Sequence, residues 1–396
     1  MPRRELGWLV LATLLPLGWF VAHFGHAVVS HGGTALVAGL GIFGAAFLLS
    51  WACEVAQLDV PRALALAALA LIAVLPEYAV DVYFAWRAGT DPTYTAFATA
   101  NMTGGNRLLL GVGWAAPVFA AWARFGQREV VLPREQAVEV SFLALATLYS
   151  FVIPLKGTLS LIDTAVLFGI FLAYVRAAGG THHEEPELDG PAKAIADLGT
   201  GRRRVVIGVM ALVAGAAILT AAEPFAEGLI ATGRQFHVEE FLLVQWLAPL
   251  ASESPEFVVA LLFALKGAAA AGIGAMISSK VNQWTLLVGA LPLAFALSSG
   301  SMHPMILDDR QREEIFLTAA QSVFGLVVIG NYRVGIGEAA MLFGLFALQL
   351  VFTSAPARWI YAGTYLGLSA ATMLVWPDTR RAMGELVFGR LRRRRA

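Results

Sequence analysis

Charge is scarce in this chain. Asp, Glu, Lys and Arg make up 14% of its 396 residues, against about 25% in an ordinary soluble domain. The charge that is present balances, 28 basic against 28 acidic side chains, so no global field singles out a nucleic acid or an acidic partner. Cysteine is nearly absent. The single Cys53 lies in an apolar run, which excludes a disulfide framework or a paired-cysteine motif and suits a small packing residue. Enzyme motifs are missing too: no Gly-x-Ser-x-Gly turn, no phosphate-binding loop, no His-Glu-x-x-His. Gly39-Leu-Gly-Ile-Phe-Gly44 fits the dinucleotide pattern, but it sits inside an apolar run with no strand before it. Its glycines are expected to serve helix packing. No enzyme activity, organic cofactor or nucleic-acid partner is expected.

Hydrophobic residues are what the chain has in abundance, 58% of the total, with a mean hydropathy of +0.69. Apolar runs of about 20 residues recur from end to end, each long enough to cross the ~30 Å hydrocarbon core as a helix. They lack the two-residue alternation of barrel strands, so the expected fold class is an all-α polytopic membrane protein. Twelve candidate spans emerge, at roughly 6–24, 34–57, 62–87, 95–123, 136–155, 158–177, 204–230, 237–265, 268–299, 312–330, 334–353 and 357–376. The first follows Arg3 and Arg4 like a signal peptide, but no small-residue cleavage site ends it, so it is read as a retained helix.

A polar interruption from Arg176 to Arg204, with His182, His183, Glu184, Glu185 and Asp189, reads as an exposed loop between two halves. With the N-terminus in the cytoplasm, most of the 28 lysines and arginines fall on the cytoplasmic side, as the positive-inside bias requires. Both termini are therefore expected to be cytoplasmic, in a plasma or inner membrane. The basic tail Arg390–Arg395 is expected to rest near anionic headgroups.

Two segments look alike. Leu75-Pro76-Glu77-Tyr78-Ala79-Val80 lies in the third span and Ser254-Pro255-Glu256-Phe257-Val258-Val259 in the eighth. Ten residues after each glutamate stands a basic residue, Arg87 or Lys266, with Gly89 or Gly267 close behind. The next span then opens on small and polar residues, Ala100-Asn101-Met102-Thr103-Gly104-Gly105-Asn106 in one copy and Gly274-Ala275-Met276-Ile277-Ser278-Ser279-Lys280 in the other. Five spans separate the copies, and an odd offset gives them opposite orientations. Inverted repeats with interrupted helices at mid-membrane are an architecture of alternating access. A carboxylate in hydrocarbon is costly and should face a partner or a water-filled path. Each proline is expected to open its helix one turn back, freeing the carbonyls of Ala73 or Ser252 as oxygen ligands for a hard cation.

Here the sequence resembles the cation/calcium antiporter superfamily, which includes sodium/calcium and calcium/proton exchangers, over roughly residues 50–350. The resemblance implies that Glu77 and Glu256 are the paired ion-binding carboxylates, the metal ligands of the site. Asn101, Gly104 and Asn106 match the family's Gly-Asn-x-x-Gly-Ser-Asn run, with Gly105 in the place of serine. The expected organisation is an extra N-terminal helix at 1–33, a first five-helix repeat at 34–178, a cytoplasmic loop at 179–203, a second repeat at 204–354 and an extra helix with the basic tail at 355–396.

The second repeat departs from the pattern. Ala275 replaces an asparagine, Lys280 stands where the family has asparagine or an acid, and Arg107 follows Asn106 where an aliphatic residue is usual. Asp81 and Glu253 add acids four residues after Glu77 and three before Glu256, on the same helical faces. An ammonium ~4 Å from an ion repels it by roughly 4 kcal/mol per ion charge at an effective dielectric of 20. Lys280 therefore reads as a built-in counter-cation to Glu77 or Glu256, which favours Na⁺/H⁺ exchange. If Asp81 and Glu253 offset the basic residues, Ca²⁺/H⁺ or Na⁺/Ca²⁺ exchange follows instead. A membrane-embedded enzyme, a channel and a non-transporting receptor are the remaining classes. The expected site comprises Glu77, Glu256, Asp81, Glu253, Asn106, Lys280, Asn101, Ser279 and Ser278. Its partners are inorganic cations and the lipid bilayer. Glu54 and Glu227 are candidates for an access path, Glu223 and Glu338 are left open, and His23, His26 and His31 are expected to be interfacial.

Overall fold

The computed structural model describes residues 3–25, 30–59, 75–178, 188 and 190–375. His26, Ala73, the loop acids and histidines of 182–185, Asp189 and the basic tail lie outside the described residues. In the first half the helices are α1 (Arg3–Phe24), α2 (His31–Ala56), α3 (Leu75–Ala88), α4 (Tyr94–Leu108), α5 (Ala115–Phe125), α6 (Ala137–Ser150), α7 (Val152–Lys156) and α8 (Leu161–Ala178). They are followed by α9 (Gly190–Ala196), α10 (Thr200–Phe236), α11 (Glu240–Leu265), α12 (Ala269–Asn282), α13 (Val288–Ser299), α14 (Asp309–Ile329), α15 (Ile336–Val351) and α16 (Ala355–Val375). Each expected span coincides with helix where it is described, the third being described from Leu75 onward. Among the described residues eight helices are long and apolar enough to cross a membrane.

The chain forms two compact units, each drawn from both halves of the sequence. One comprises Met1–Phe84 and Gly179–Pro255, the other Ala85–Ala178 and Glu256–Ala396.

In the first unit α2 lies against α1 and, along much of its length, against α10. Its glycines make this possible. A Cβ added at Gly39 would stand 2.9 Å from the Phe225 ring, one at Gly41 2.7 Å from Trp19 Cβ, and one at Gly44 2.6 Å from Leu15 Cβ. The glycine pattern that mimics a nucleotide fingerprint is thus the contact surface of a helix held on two sides. The Trp19 indole donates to Thr220 Oγ1 at 3.0 Å. At one end of the bundle Arg203 forks onto Asp59, Nε to Oδ2 and Nη2 to Oδ1, both at 2.8 Å. That hydrogen-bonded guanidinium holds the Asp59 carboxyl below its ordinary range. The stretch expected as an exposed loop contains α9, whose Pro191, Ala192 and Ile195 are buried. This helix packs on α1 and α2, because Ala192 and Ile195, three apart, give it one apolar face.

The expected break before Glu256 is absent: α11 runs unbroken through Pro249 and Pro255. Proline removes the donor to the carbonyl four residues back, that of Gln245 or Ala251, yet a membrane helix can continue through it, and serine hydroxyls of this helix bond other carbonyls nearby. Ser252 Oγ donates to Ala248 O at 3.2 Å and to Pro249 O at 3.3 Å, and Ser254 Oγ donates to Leu250 O.

The irregularity lies one helix further on, in the second unit. α4 continues into α5 through a π turn at Leu109–Gly113, and α12 into α13 through another at Gln283–Leu287. These helices pack with α6, α8, α14 and α15. Gly325 of α14 lets that helix approach the first π turn, since a Cβ there would lie 2.5 Å from Leu110 Cδ2 and 3.1 Å from the Trp114 ring. Two short antiparallel ribbons qualify the all-α expectation: β1 (Glu129–Val131) pairs with β4 (Arg333–Gly335), and β2 (Thr158–Leu159) with β3 (Met305–Ile306). Asp308 caps α14 by accepting from Gln311 N at 2.8 Å.

Candidate functional site

The first unit holds three of the expected site acids, Glu77 and Asp81 on α3 and Glu253 on α11, all nearly without solvent exposure. Glu77 and Asp81 are one turn apart and share a helix face. Close by in sequence, the Tyr83 hydroxyl donates to Glu227 at 2.7 Å, with Glu223 at 3.5 Å. Glu54 accepts from Ser50 of its own helix at 3.2 Å.

The second unit holds the remaining candidates, Glu256, Asn101, Asn106, Ser278, Ser279 and Lys280. Lys280 and Asn106 are fully buried and bonded to each other. The ammonium donates to the Asn106 main-chain oxygen at 2.9 Å and to its Oδ1 at 2.8 Å. It also lies 4.7 Å from the centre of the Trp284 ring, a favourable seat for a cation. The Asn106 amide in turn donates to Met102 O at 2.8 Å. Both Asn106 atoms that receive the ammonium are neutral oxygens. Asn106 thus presents both of its oxygens to lysine. Asn106 and Lys280 each stand three residues before a π turn, and such turns recur at functional positions.

Ser278 is bonded to Tyr174, oxygen to oxygen at 3.4 Å. Ser279 lies beside the Glu256 carboxyl, outside good hydrogen-bond geometry. Among the described residues, Glu256 Oε2, Ser279 Oγ and Asn101 Oδ1 are buried without a hydrogen-bond partner. So are both amide atoms of Gln283, a residue 1% exposed that the sequence reading passed over. It stands one turn after Ser279, at the start of the second π turn. Each such orphan costs about 1–3 kcal/mol unless water or an ion satisfies it. Most of these atoms are oxygens, the donor set of a hard cation. No group of three or more His, Cys, Asp and Glu converges among the described residues, so the acids alone do not form a cage.

Arg107 is bonded to residues far away in sequence. It is 2% exposed and bonds Glu314 at 2.6 Å and Gln349 at 3.1 Å. Glu338 proves to be a helix cap, accepting from Gly335 N at 2.7 Å. His23 sits among Trp19 and Phe24.

The model of the family described as sodium/calcium exchanger protein matches this chain twice, over residues 30–179 and 206–355. The chain belongs to that family. Among solved structures, this exchanger is similar to the H⁺/Ca²⁺ exchanger CAX, at 41% identity over 97% of both chains with a TM-score of 0.92. It shares its fold with native YfkE, at 16% identity over 88% of this chain and 98% of that one, TM-score 0.61. It likewise shares its fold with the sodium-calcium exchanger NCX_Mj, at 14% identity over 86% and 100% of the two chains, TM-score 0.54. No curated protein matches the sequence. The exchanger is an integral membrane protein of the cation antiporter type, in a family of transporters.

Proposed function

We propose that this exchanger moves Ca²⁺ against protons by alternating access, with Glu77 and Glu256 carrying either ion in turn and Asp81 and Glu253 adding negative charge. The likeness to the H⁺/Ca²⁺ exchanger, 41% identity over nearly the whole of both chains, carries the choice of ions. Na⁺/H⁺ exchange, the first expectation, is not supported by the exchangers named above. A carboxylate suits the exchange because one group offers oxygen to a divalent ion and accepts a proton when the ion leaves. The cation is cargo, and no resident cofactor is required.

Three observations support an inverted-repeat organisation at 34–178 and 204–354, with added helices at either end and twelve spans in all. The family model matches two stretches of similar length. The π turns follow Asn106 and Lys280 at the same distance. The ribbons pair β1 with β4 and β2 with β3, the exchange expected when two halves are related by a two-fold axis. Cytoplasmic termini follow from the placement of lysine and arginine.

The test is purified protein in liposomes with an entrapped pH dye. Ca²⁺ added outside should drive protons out, and Na⁺, Li⁺ and K⁺ should not. A response to Na⁺ or Li⁺ alone would return the protein to monovalent exchange. Ca²⁺ uptake that needs internal Na⁺ and moves no protons would make it a Na⁺/Ca²⁺ exchanger.

A further inference from the structure

Arg107 is a buried charge in the wall of a transporter, directly after a residue of the candidate site. Its fork is fully used: Nη2 donates to Glu314 Oε2 at 2.6 Å, Nη1 to Gln349 Oε1 at 3.1 Å, and Nε reaches back to Thr103 O at 3.4 Å. Its main chain is held as well, since Gln321 Nε2 donates to Arg107 O at 3.3 Å. Residue 107 is thus fastened to α14 through Glu314 and Gln321 and to α15 through Gln349. The second Glu314 oxygen faces Arg358 Nη1 at 3.8 Å, and Arg358 is itself bonded to Glu313 at 2.8 Å. Gln349 donates onward to Tyr365 at 2.7 Å. Arg358 and Tyr365 belong to α16, which begins where the family match ends at residue 355.

The peptide unit joining residues 106 and 107 carries the carbonyl that accepts from Lys280. Two residues later the helix widens into a π turn, where the regular ladder no longer fixes its register. A group that pins residue 107 therefore determines where the Asn106 oxygens stand, and with them the ammonium of Lys280.

We infer that Arg107 and Glu314 are a positioning pair: through the 106–107 peptide they set Asn106 and Lys280 for cation exchange, with α16 bracing the pair from outside the family's matched region. Neither residue touches the ion. This rests on the Ca²⁺/H⁺ reading for its transport effect, though not for its structural one.

A purely structural pair would behave differently. Buried ion pairs can be exchanged for neutral side chains of similar volume with little loss of stability, whereas removing one partner alone is costly. The test is the neutral pair R107M/E314Q in liposomes, read as proton efflux against external Ca²⁺ and against pH. The protein should fold, with its half-saturating Ca²⁺ raised about tenfold to a hundredfold, the usual loss when a group that orients a ligand is removed. Wild-type Ca²⁺ dependence and pH profile in that variant would overturn the inference. If R107M/E314Q does not fold, R107K decides. It keeps the charge and loses the fork to Gln349, so a smaller shift of the same sign supports the pair and an unchanged profile sinks it. A thermal double-mutant cycle between R107K and K280M needs no transport. Non-additive midpoints are expected and additive ones refute the link. A wild-type protein that moves no protons with Ca²⁺ would refute the proposed function while leaving that cycle to judge the pair.

Discussion

Lys280 gives its buried ammonium to two oxygens of one residue, the carbonyl and the Oδ1 of Asn106, at 2.9 and 2.8 Å. Two helices that each carry a π turn are thereby tied together three residues before those turns. Hydrogen bonds to a charged group contribute roughly 1.5–3 kcal/mol, so Asn106→Ala should lower stability by about that much, seen as a drop in the thermal midpoint in detergent. Lys280→Met should also destabilise, and the double variant should lose less than the sum of the two. Additive losses would mean that the contact contributes nothing.

On the proposed function, exchange depends on Glu77 and Glu256. Glu77→Gln and Glu256→Gln keep shape and remove the titrating group, so each should reduce Ca²⁺-driven proton movement to the level of empty liposomes with the fold intact by gel filtration. Asp81→Asn should leave partial activity, because a neighbour one turn away modulates the site's charge without replacing it. Full activity in either glutamine variant would remove that carboxylate from the site.

Much of this was legible in sequence because the bilayer imposes simple rules. Runs of about 20 apolar residues must be helices, and the Pro-Glu segments stand out because acids in such runs are costly. Gly39, Gly41 and Gly44 sit in such a run, which marks them as packing residues, and each meets a neighbouring helix closely. What escaped was tertiary. Nothing near Arg107 in sequence points to Glu314, more than two hundred residues away. Gln283 hides in a run with no acid beside it, and π turns leave no residue signature. Pro255 misled because a membrane helix can run through a proline without breaking, as α11 does here.

The α1–α2 contact is tight enough for a direct test. A Cβ at Gly44 would lie 2.6 Å from Leu15 Cβ and 2.8 Å from the Ala12 carbonyl oxygen. The backbone oxygen cannot swing away, so Gly44→Val should cost about 1–3 kcal/mol by overpacking. Gly18, with nothing within 4 Å of such a Cβ, is the control, and Gly18→Ala should leave the midpoint unchanged or raised. Equal behaviour of the two variants would contradict the packing described.

The Asp59–Arg203 clasp predicts a pH dependence. The guanidinium holds the folded carboxyl below its ordinary value, near 4 in an unfolded chain. A depressed carboxyl contributes stability that is fully present above the unfolded value and fades as pH falls through the folded one. Asp59→Asn should therefore lower the thermal midpoint by a constant amount between about pH 5 and 8, and the gap from wild type should close as the pH drops below about 4. A gap that widens in acid would reverse the assigned sign.

Gln283 separates stability from function. Both of its amide atoms are buried without a hydrogen-bond partner among the described residues, which in a resting protein is a cost of about 1–3 kcal/mol per group. Gln283→Met keeps the volume and removes the cost, so the variant should be as stable as wild type or more so. If the amide oxygen serves the passing ion, as its place one turn from Ser279 suggests, the same variant should need several-fold more Ca²⁺ for half-maximal proton efflux. Gain in midpoint with loss in Ca²⁺ affinity is the signature of a polar group kept for transport at the expense of packing. Loss of both would make Gln283 a structural residue whose partner is a buried water, and loss of neither would leave its amide without a role in exchange.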